Sequence, residues 1–223
     1  MFAAFERVLL IGASGGIGAA LAEALAGTDL TTLSRSVEGL VLTDEASVAA
    51  IAARIHGPFD LIFDATGALE IDGIGPERTL DEIDPRAMAA QYAVNAIGPA
   101  LLLKHFATKL AKDRRAVFAT LSARVGSIGD NRLGGWYGYR AAKAGLNQIV
   151  RTAAVEIARR RPDAVVLALH PGTVETALTA KYLGHHPAVK PAEAAANLLA
   201  VIAARGPEDS GRFFAWDGTP IPW

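Results

Sequence analysis

A glycine-rich turn near the amino terminus constrains the fold more than any other feature of the chain. An apolar run of strand length, Arg7–Ile11, leads into Gly12-Ala13-Ser14-Gly15-Gly16-Ile17-Gly18, and an alanine-rich helical stretch follows. Glycines there let the backbone approach a pyrophosphate, and the free N–H groups of the helix start favour an anion. The sequence therefore predicts a strand, a phosphate-binding turn and a helix, although such turns can also serve packing alone.

Short β-rich runs alternate with alanine-rich stretches along the rest of the chain, which predicts a parallel sheet with helical crossovers. With 223 residues, 51% of them hydrophobic, the chain can bury one sizeable core. We therefore predict one α/β domain over residues 1–223. The predicted strands are 7–11, 30–33, 40–42, 59–63, 116–121, 165–169 and 211–216, and the predicted helices are 16–26, 46–55, 85–111, 136–160 and 191–204.

Only residues 35–39 separate the second predicted strand from the third. A parallel partner strand normally needs a crossover of a dozen or more residues. Five extended residues span about 16 Å, which could just return a three-residue edge strand to its start. We therefore expect the usual helix to be deleted and Leu40–Leu42 to form a short edge strand.

Composition excludes several other classes of protein. The net charge of −1 gives no basic surface for nucleic acid, and the lack of cysteine rules out disulfide frameworks and thiolate metal sites. No apolar stretch reaches the ~18 residues that a membrane span requires, and the chain opens without a charged leader. We expect a cytoplasmic protein without a membrane partner, and we expect His185 and His186 to be solvated rather than part of a metal site.

Tyr139 and Lys143 are four residues apart, which sets both side chains on one face of a predicted helix. An ammonium about 4 Å from a phenol contributes roughly 4 kcal/mol at an effective dielectric near 20, or about three pKa units. The spacing thus predicts a tyrosine whose pKa moves towards neutrality and which can transfer a proton. The alternative is a packing tyrosine beside a solvated lysine.

Together these two motifs resemble the pair that defines the short-chain dehydrogenase/reductase family, and the resemblance covers nearly the whole chain. Asp64-Ala65-Thr66-Gly67 stands where the family has its Asn-Asn-Ala-Gly turn, and Asn95 falls in the following helix. Pro171-Gly172-Thr173-Val174-Glu175-Thr176 is similar to the family's segment beside the nicotinamide. Residues 121–137 look like the C-factor branch, which also contains sniffer-type carbonyl reductases.

The resemblance implies a Rossmann fold, with a doubly wound, mostly parallel sheet of about seven strands and helices on both faces. It also implies reversible reduction of a small-molecule carbonyl to an alcohol by a homodimer or homotetramer. Tyr139 would give its proton to the carbonyl oxygen, Lys143 would lower the phenol pKa and bind the nicotinamide ribose, and Asn95 would hold a proton-relay water. The implied cofactor-binding residues are Gly12, Ser14, Gly15, Gly16, Ile17, Gly18, Ser34, Arg35, Ala65, Thr66, Gly67, Tyr139, Lys143, Pro171, Gly172, Val174 and Thr176.

The carboxyl end of the second strand predicts which dinucleotide is used. An acid there accepts the ribose hydroxyls of NAD, whereas a base accommodates the 2′-phosphate of NADP. The strand ends in Leu33-Ser34-Arg35 without an acid, and Arg35 offers a fork of donors that suits phosphate. We therefore expect NADP(H) to be favoured over NAD(H), unless Arg35 is an ordinary exposed arginine. Asp44 could line the adenine pocket or cap the next helix.

The serine that polarises the substrate in the family has no clear counterpart. Counting back from Gly126 places Ala123 at its position, and Ser122 comes one residue early. Ser127, twelve residues before Tyr139, is the other candidate. We favour Ser122, and the site could also lack this hydroxyl altogether; losing such a donor can cost roughly 10²–10³ in rate.

Two other functions remain open. The first is a nucleotide-binding sensor or signalling protein with little turnover, which Ala123 and the C-factor resemblance suggest. The second is a sugar-nucleotide epimerase or dehydratase, which ranks last because we expect Gly-x-x-Gly-x-x-Gly and a larger carboxyl-terminal domain in such enzymes. For the substrate we expect a small or medium apolar aldehyde or ketone under a lid formed by Thr173–Val189.

Overall fold

Six parallel strands form one sheet in the computed structural model, which describes residues 5–183 and 187–223. The strands are β1 (Arg7–Ile11), β2 (Asp29–Leu33), β3 (Leu61–Asp64), β4 (Ala116–Leu121), β5 (Ala164–His170) and β6 (Arg212–Ala215). Every neighbouring pair runs parallel, in the order β2-β1-β3-β4-β5-β6. The fold class is therefore the predicted one, a Rossmann-like α/β fold.

Seven α-helices connect and cover these strands in the described residues. The helices are α1 (Gly16–Ala24), α2 (Arg35–Glu38), α3 (Glu45–Arg54), α4 (Pro85–Tyr92), α5 (Gly98–Phe106), α6 (Tyr137–Ala158) and α7 (Pro191–Ala203). The predicted helix 85–111 is divided into α4, a π-helical segment at Ala93–Ile97, and α5. None of the described helices is long and apolar enough to cross a membrane.

Helices lie on both faces of the sheet because successive strand residues point to opposite sides. In β4, Phe118 belongs to the apolar cluster that α3, α5 and α6 share, whereas Val117 belongs to the cluster that α1 and α7 share. Both residues are fully buried. The continuous apolar runs of the central strands follow from this burial on two faces.

The predicted edge strand at Leu40–Leu42 is wrong. The chain leaves β2 into the one-turn helix α2, whose start is capped by the Ser34 hydroxyl, and Gly39 ends it in a left-handed conformation with a φ of 73°. Leu40 is 3% exposed and packs with Val48 and Ile51 of α3. Its apolar character therefore reflects a core contact of a loop, and the six strands in the described residues are close to the predicted number of about seven.

Candidate active site

The carboxyl ends of four central strands meet at one edge of the sheet. β1 ends at the glycine turn, β3 at Asp64, β4 at Leu121, and β5 at His170 just before Pro171-Gly172. The amino-terminal part of α6, with Tyr139 and Lys143, lies at the same edge, because the Lys143 Nζ donates to the Leu121 carbonyl at 2.9 Å. Ligands of open α/β sheets bind at this edge.

The glycine turn is too tight for side chains at three of its positions. Gly12 has a φ of 87°, and a Cβ on Gly18 would stand 2.1 Å from the Gly12 oxygen. A Cβ on Gly16 would stand 2.7 Å from Cγ2 of Thr176. The turn therefore packs directly against the Pro-Gly segment after β5, while Ser14, Gly15 and Gly16 remain exposed.

Tyr139 and Lys143 lie together as their spacing predicts. Lys143 is only 2% exposed, and its Nζ lies 5.8 Å from the centroid of the Tyr139 ring. Tyr139 is half-buried, and its hydroxyl forms no hydrogen bond with any residue that the structure describes. The phenol is thus available to a ligand.

The expected lowering of the Tyr139 pKa is wrong for this structure. Burial raises the pKa of Tyr139 far above its usual value of 10.0, because a phenolate in this position loses its hydration. Burial also lowers the pKa of Lys143 to about 8, and only the carboxylate of Asp64 opposes that shift. Tyr139 therefore keeps its proton at neutral pH, which is the form that can donate to a carbonyl oxygen.

Asp64 is an electrostatic component of the site that sequence reasoning missed. It is fully buried, and its carboxylate accepts hydrogen bonds from the Thr120 hydroxyl at 2.7 Å and from the Thr66 hydroxyl at 2.5 Å. Burial raises the pKa of Asp64, while these hydrogen bonds and the charge of Lys143 lower it. The available signal was an acid at the position where the family turn begins with asparagine.

Asn95 and Gly67 complete the surroundings of Lys143. The Asn95 side chain is fully buried in the π-helical segment, accepts from the Ala68 N–H at 3.1 Å and donates to the Ala68 oxygen at 2.8 Å. Its Nδ2 also donates to Oε1 of Gln91 at 2.7 Å. A Cβ on Gly67 would stand 3.2 Å from Asn95 Oδ1 and 3.4 Å from Lys143 Nζ. The turn after β3 therefore lies close to both Asn95 and Lys143.

Both candidate serines already donate their only hydroxyl proton within the protein. Ser122 is 4% exposed and donates to Oδ1 of Asn147 at 2.7 Å. Ser127 donates to the Pro222 carbonyl at 2.5 Å and accepts from the Asp130 N–H. Ala123, at the family position of the serine, is half-buried. Either serine would have to break an existing hydrogen bond before it could polarise a substrate.

At the end of β2, the side chain of Arg35 is available to a ligand, whereas the Ser34 hydroxyl is already hydrogen-bonded within the protein. The Arg35 side chain is exposed and forms no hydrogen bond or salt bridge within residues 5–183 and 187–223. The Ser34 hydroxyl donates to Oε2 of Glu38 at 3.1 Å and accepts from the Val37 N–H. Asp44 caps α3 by accepting from the Ala46 N–H at 2.9 Å, which is one of its two predicted roles.

Part of the predicted lid contacts the loop after β3. In the 3₁₀ turn Ala180–Tyr182, the Tyr182 hydroxyl donates to Oε1 of Glu70 at 2.9 Å and Lys181 Nζ donates to Oε2 at 2.7 Å. Trp136 makes edge contacts with both Tyr182 and Tyr139, at centroid distances of 5.4 and 6.1 Å. Aromatic side chains thus join the lid to the catalytic candidate. His185 and His186 lie outside the described residues, and no metal-ligand cluster occurs among the described ones.

We predict that the folded protein loses stability in mild acid because His170, the last residue of β5, is buried. Its Nδ1 is buried without a hydrogen-bond partner among the described residues. Burial, assisted by the positive charge of Arg124, lowers the pKa of His170 to about 4 from 6.5. The unfolded chain therefore binds more protons between these values, and stability falls as the pH drops through 6.5 towards 4, by up to about 3 kcal/mol.

Urea unfolding at pH 7 and at pH 4.5 measures this loss. We expect His170→Asn to lose less stability between the two pH values than the wild type does, since asparagine does not titrate. His56→Asn is the matched control because His56 is exposed. An unchanged pH dependence in His170→Asn would contradict the prediction.

A family model described as enoyl-(acyl carrier protein) reductase matches residues 40–216. A 1-hydroxy-2-glutathionyl-2-methyl-3-butene dehydrogenase from Rhodococcus sp. (strain AD45) is 33% identical over 98% of this chain and 100% of its own length. The C-signal protein of Myxococcus xanthus is 34% identical over 75% of this chain and 94% of its own.

Solved structures agree with the fold over nearly the full length. Carbonyl reductase Sniffer of D. melanogaster has a TM-score of 0.83 at 19% identity, covering 98% of this chain and 99% of that chain. The NADPH-bound carbonyl reductase from chicken fatty liver has a TM-score of 0.81 at 25% identity, with the same coverage.

Proposed function

The chain belongs to the short-chain dehydrogenase/reductase family of oxidoreductases, and from this premise we propose that it is an NADP(H)-dependent carbonyl reductase of the C-factor branch. The observation that carries the proposal is the contact of Lys143 with both Tyr139 and the turn at Gly67. A proton donor and a cation thus lie at the edge of the sheet where dinucleotides bind.

The chain's own residues fit a dinucleotide. Side chains at Gly16 and Gly18 would collide with Thr176 and Gly12, so these glycines keep the turn tight. Ser14, Gly15 and Gly16 are exposed, which leaves the start of α1 accessible to a pyrophosphate. The remaining contacts proposed for the cofactor are those of Ser14, Gly15, Ile17, Ala65, Thr66, Pro171, Gly172 and Val174. When bound, the nicotinamide supplies a hydride to the carbonyl carbon.

Tyr139 would donate its proton to the carbonyl oxygen of the substrate. Its raised pKa keeps the phenol neutral until negative charge develops on that oxygen. Lys143 stabilises the phenolate that results and binds the ribose, and Asn95 holds the water through which Tyr139 regains a proton. General acid catalysis of this kind is worth typically 10²–10⁴ in rate.

The preference for NADP(H) over NAD(H) rests on Arg35. A charged hydrogen bond to phosphate is worth roughly 1.5–3 kcal/mol, so Arg35→Ala should weaken NADPH binding about 10- to 100-fold and leave NADH binding unchanged. Fluorescence titration with both cofactors measures this, with Arg54→Ala as a control at another exposed arginine. Equal affinities for NADPH and NADH in the wild type would contradict the preference.

The substrate proposed is a small or medium carbonyl compound or the corresponding alcohol. Trp136 and Tyr182 offer aromatic walls beside Tyr139. Since one relative is named for a glutathionyl alcohol, conjugates of that kind belong in the test. NADPH oxidation, followed by absorbance against aldehydes, ketones and quinones, and NADP reduction against glutathionyl alcohols test the proposal. Turnover on at least one of them supports it, and binding of NADPH without any turnover contradicts it.

A second candidate is a nucleotide-binding sensor with little turnover. It is favoured by Ala123 at the serine position and by the internal hydrogen bonds of Ser122 and Ser127. It predicts tight NADPH binding with no substrate-dependent oxidation. A cytoplasmic homodimer or homotetramer also stays a prediction.

A further inference from the structure

A carboxylate from a distant loop holds the first turn of α6. A helix leaves its first backbone N–H groups without intrahelical partners. Trp136, which precedes α6, has a φ of 56° and caps none of them with its side chain. Instead the Gly138 N–H donates to Oε2 of Glu77 at 3.0 Å, across 61 positions of sequence. Tyr139 is the next residue of the helix.

The backbone of Glu77 contacts the same helix start. The Trp136 N–H donates to the Glu77 carbonyl at 2.5 Å. Gly135, with a φ of 65°, lies so close that a Cβ would stand 3.6 Å from that carbonyl. Glu77 therefore fixes both the residue before α6 and the second residue of the helix.

Gly138 is the residue type that permits this contact. A Cβ at this position would stand 2.8 Å from Oε1 of Glu77 and 3.4 Å from Cγ of Met88. Glu77 is 6% exposed and forms no salt bridge within the described residues. The negative charge of the Glu77 carboxylate thus interacts with the positive, amino-terminal end of the α6 dipole.

Glu77 also lies near Gln91, the residue that accepts a hydrogen bond from Asn95. Glu77 and Gln91 both line a cavity of about 110 Å³. Oε1 of Gln91 accepts from Nδ2 of Asn95, so Gln91 links the lining of this cavity to Asn95. Because this cavity adjoins the carboxylate, a shortened side chain at position 77 can be replaced by water rather than by collapse of the loop.

We propose that Glu77 is a positioning residue, which holds the start of α6 and thereby sets Tyr139 and Trp136 against the cofactor edge of the sheet. The inference rests on the proposed function, because the position of Tyr139 affects kcat only if Tyr139 transfers the proton. Misplacement of a catalytic group by 1 Å can cost about 10²-fold in rate.

Steady-state kinetics of Glu77→Ala and Glu77→Gln test the catalytic part. We expect Glu77→Ala to lower kcat roughly 10- to 100-fold with the KM for NADPH within about 2-fold of the wild type. Glu77→Gln should recover most of kcat, because its amide oxygen still accepts from Gly138. Glu82→Ala is the matched control: the Glu82 carboxylate accepts from the Arg78 N–H in the same loop and forms no hydrogen bond or salt bridge with α6 among the described residues.

Amide hydrogen exchange tests the structural part without any substrate. Exchange at the start of α6 should be faster in Glu77→Ala than in the wild type, in Glu82→Ala and in Glu77→Gln. Unchanged exchange overturns the proposal, and so does faster exchange with an unchanged kcat. If the wild type reduces no carbonyl compound, the reductase proposal fails, while the exchange rates alone still decide whether Glu77 holds this helix start.

Discussion

Tyr139→Phe should lower kcat for carbonyl reduction by roughly 10²–10⁴-fold, because it removes the only proton donor proposed at the carbonyl oxygen. The phenylalanine ring keeps the edge contact with Trp136. No described residue loses a hydrogen bond, since the Tyr139 hydroxyl makes none with them. We therefore expect the free energy of unfolding and the affinity for NADPH to stay close to those of the wild type.

The measurement is kcat with saturating NADPH, together with urea unfolding and a cofactor titration on the same protein. Tyr137→Phe is the matched control, because Tyr137 opens the same helix two residues earlier and points in another direction. Wild-type turnover by Tyr139→Phe would contradict the proposed role. Loss of turnover together with loss of folding would leave the role to be tested by Tyr139→His, which keeps a proton donor.

Lys143→Met should change activity and stability in opposite directions. The Lys143 Nζ lies 5.8 Å from the centroid of the Tyr139 ring, and two unit charges about that far apart interact by about 3 kcal/mol at an effective dielectric near 20. Its loss should therefore lower kcat by about 10²-fold and also weaken NADPH binding. The lysine itself is costly to bury, because its pKa is lowered to about 8 from 10.5.

The sign of the stability change follows from that pKa. Below pH 8 the lysine is protonated in both the folded and the unfolded state, so the folded state carries the full cost of burial, up to about 3 kcal/mol. A buried methionine does not carry this cost, so Lys143→Met should unfold at a higher urea concentration at pH 7 than the wild type does. The lost hydrogen bond to the Leu121 carbonyl offsets part of the gain.

Kinetics and urea unfolding of Lys143→Met, with the exposed Lys112→Met as control, measure both effects. Wild-type kcat in Lys143→Met would contradict the electrostatic role. A variant that lost stability as well as activity would show that the ammonium stabilises the fold rather than the reaction.

The central strands could be predicted because both faces of the sheet are buried. Residues 7–11 and 116–121 match β1 and β4 in full, since most residues of both runs are apolar. The prediction of a strand at Leu40–Leu42 failed because three apolar residues do not distinguish a strand from a loop that buries one leucine in the core. The π-helical segment around Asn95 has no periodicity of its own, so it was hidden in the predicted helix 85–111.

In the candidate site, too, only contacts between residues close in sequence could be predicted. The structure brings Tyr139 and Lys143 together because a four-residue spacing on a helix is a local relation. The hydrogen bonds from Thr120 to Asp64 and from Gly138 to Glu77 join residues 56 and 61 positions apart, and no local pattern indicates them. The direction of the Tyr139 pKa shift was mispredicted for the same reason: it depends on burial by the whole fold, which exceeds the effect of one neighbouring charge.

The most direct test of the account is transfer of deuterium from NADPH labelled at nicotinamide C4 to a carbonyl substrate, detected by mass spectrometry of the alcohol. We expect deuterium on the former carbonyl carbon with the wild type and at least 10²-fold slower labelling with Tyr139→Phe. Wild-type protein that binds the labelled NADPH and transfers no deuterium to any aldehyde, ketone or quinone would contradict the proposal that this chain is a reductase.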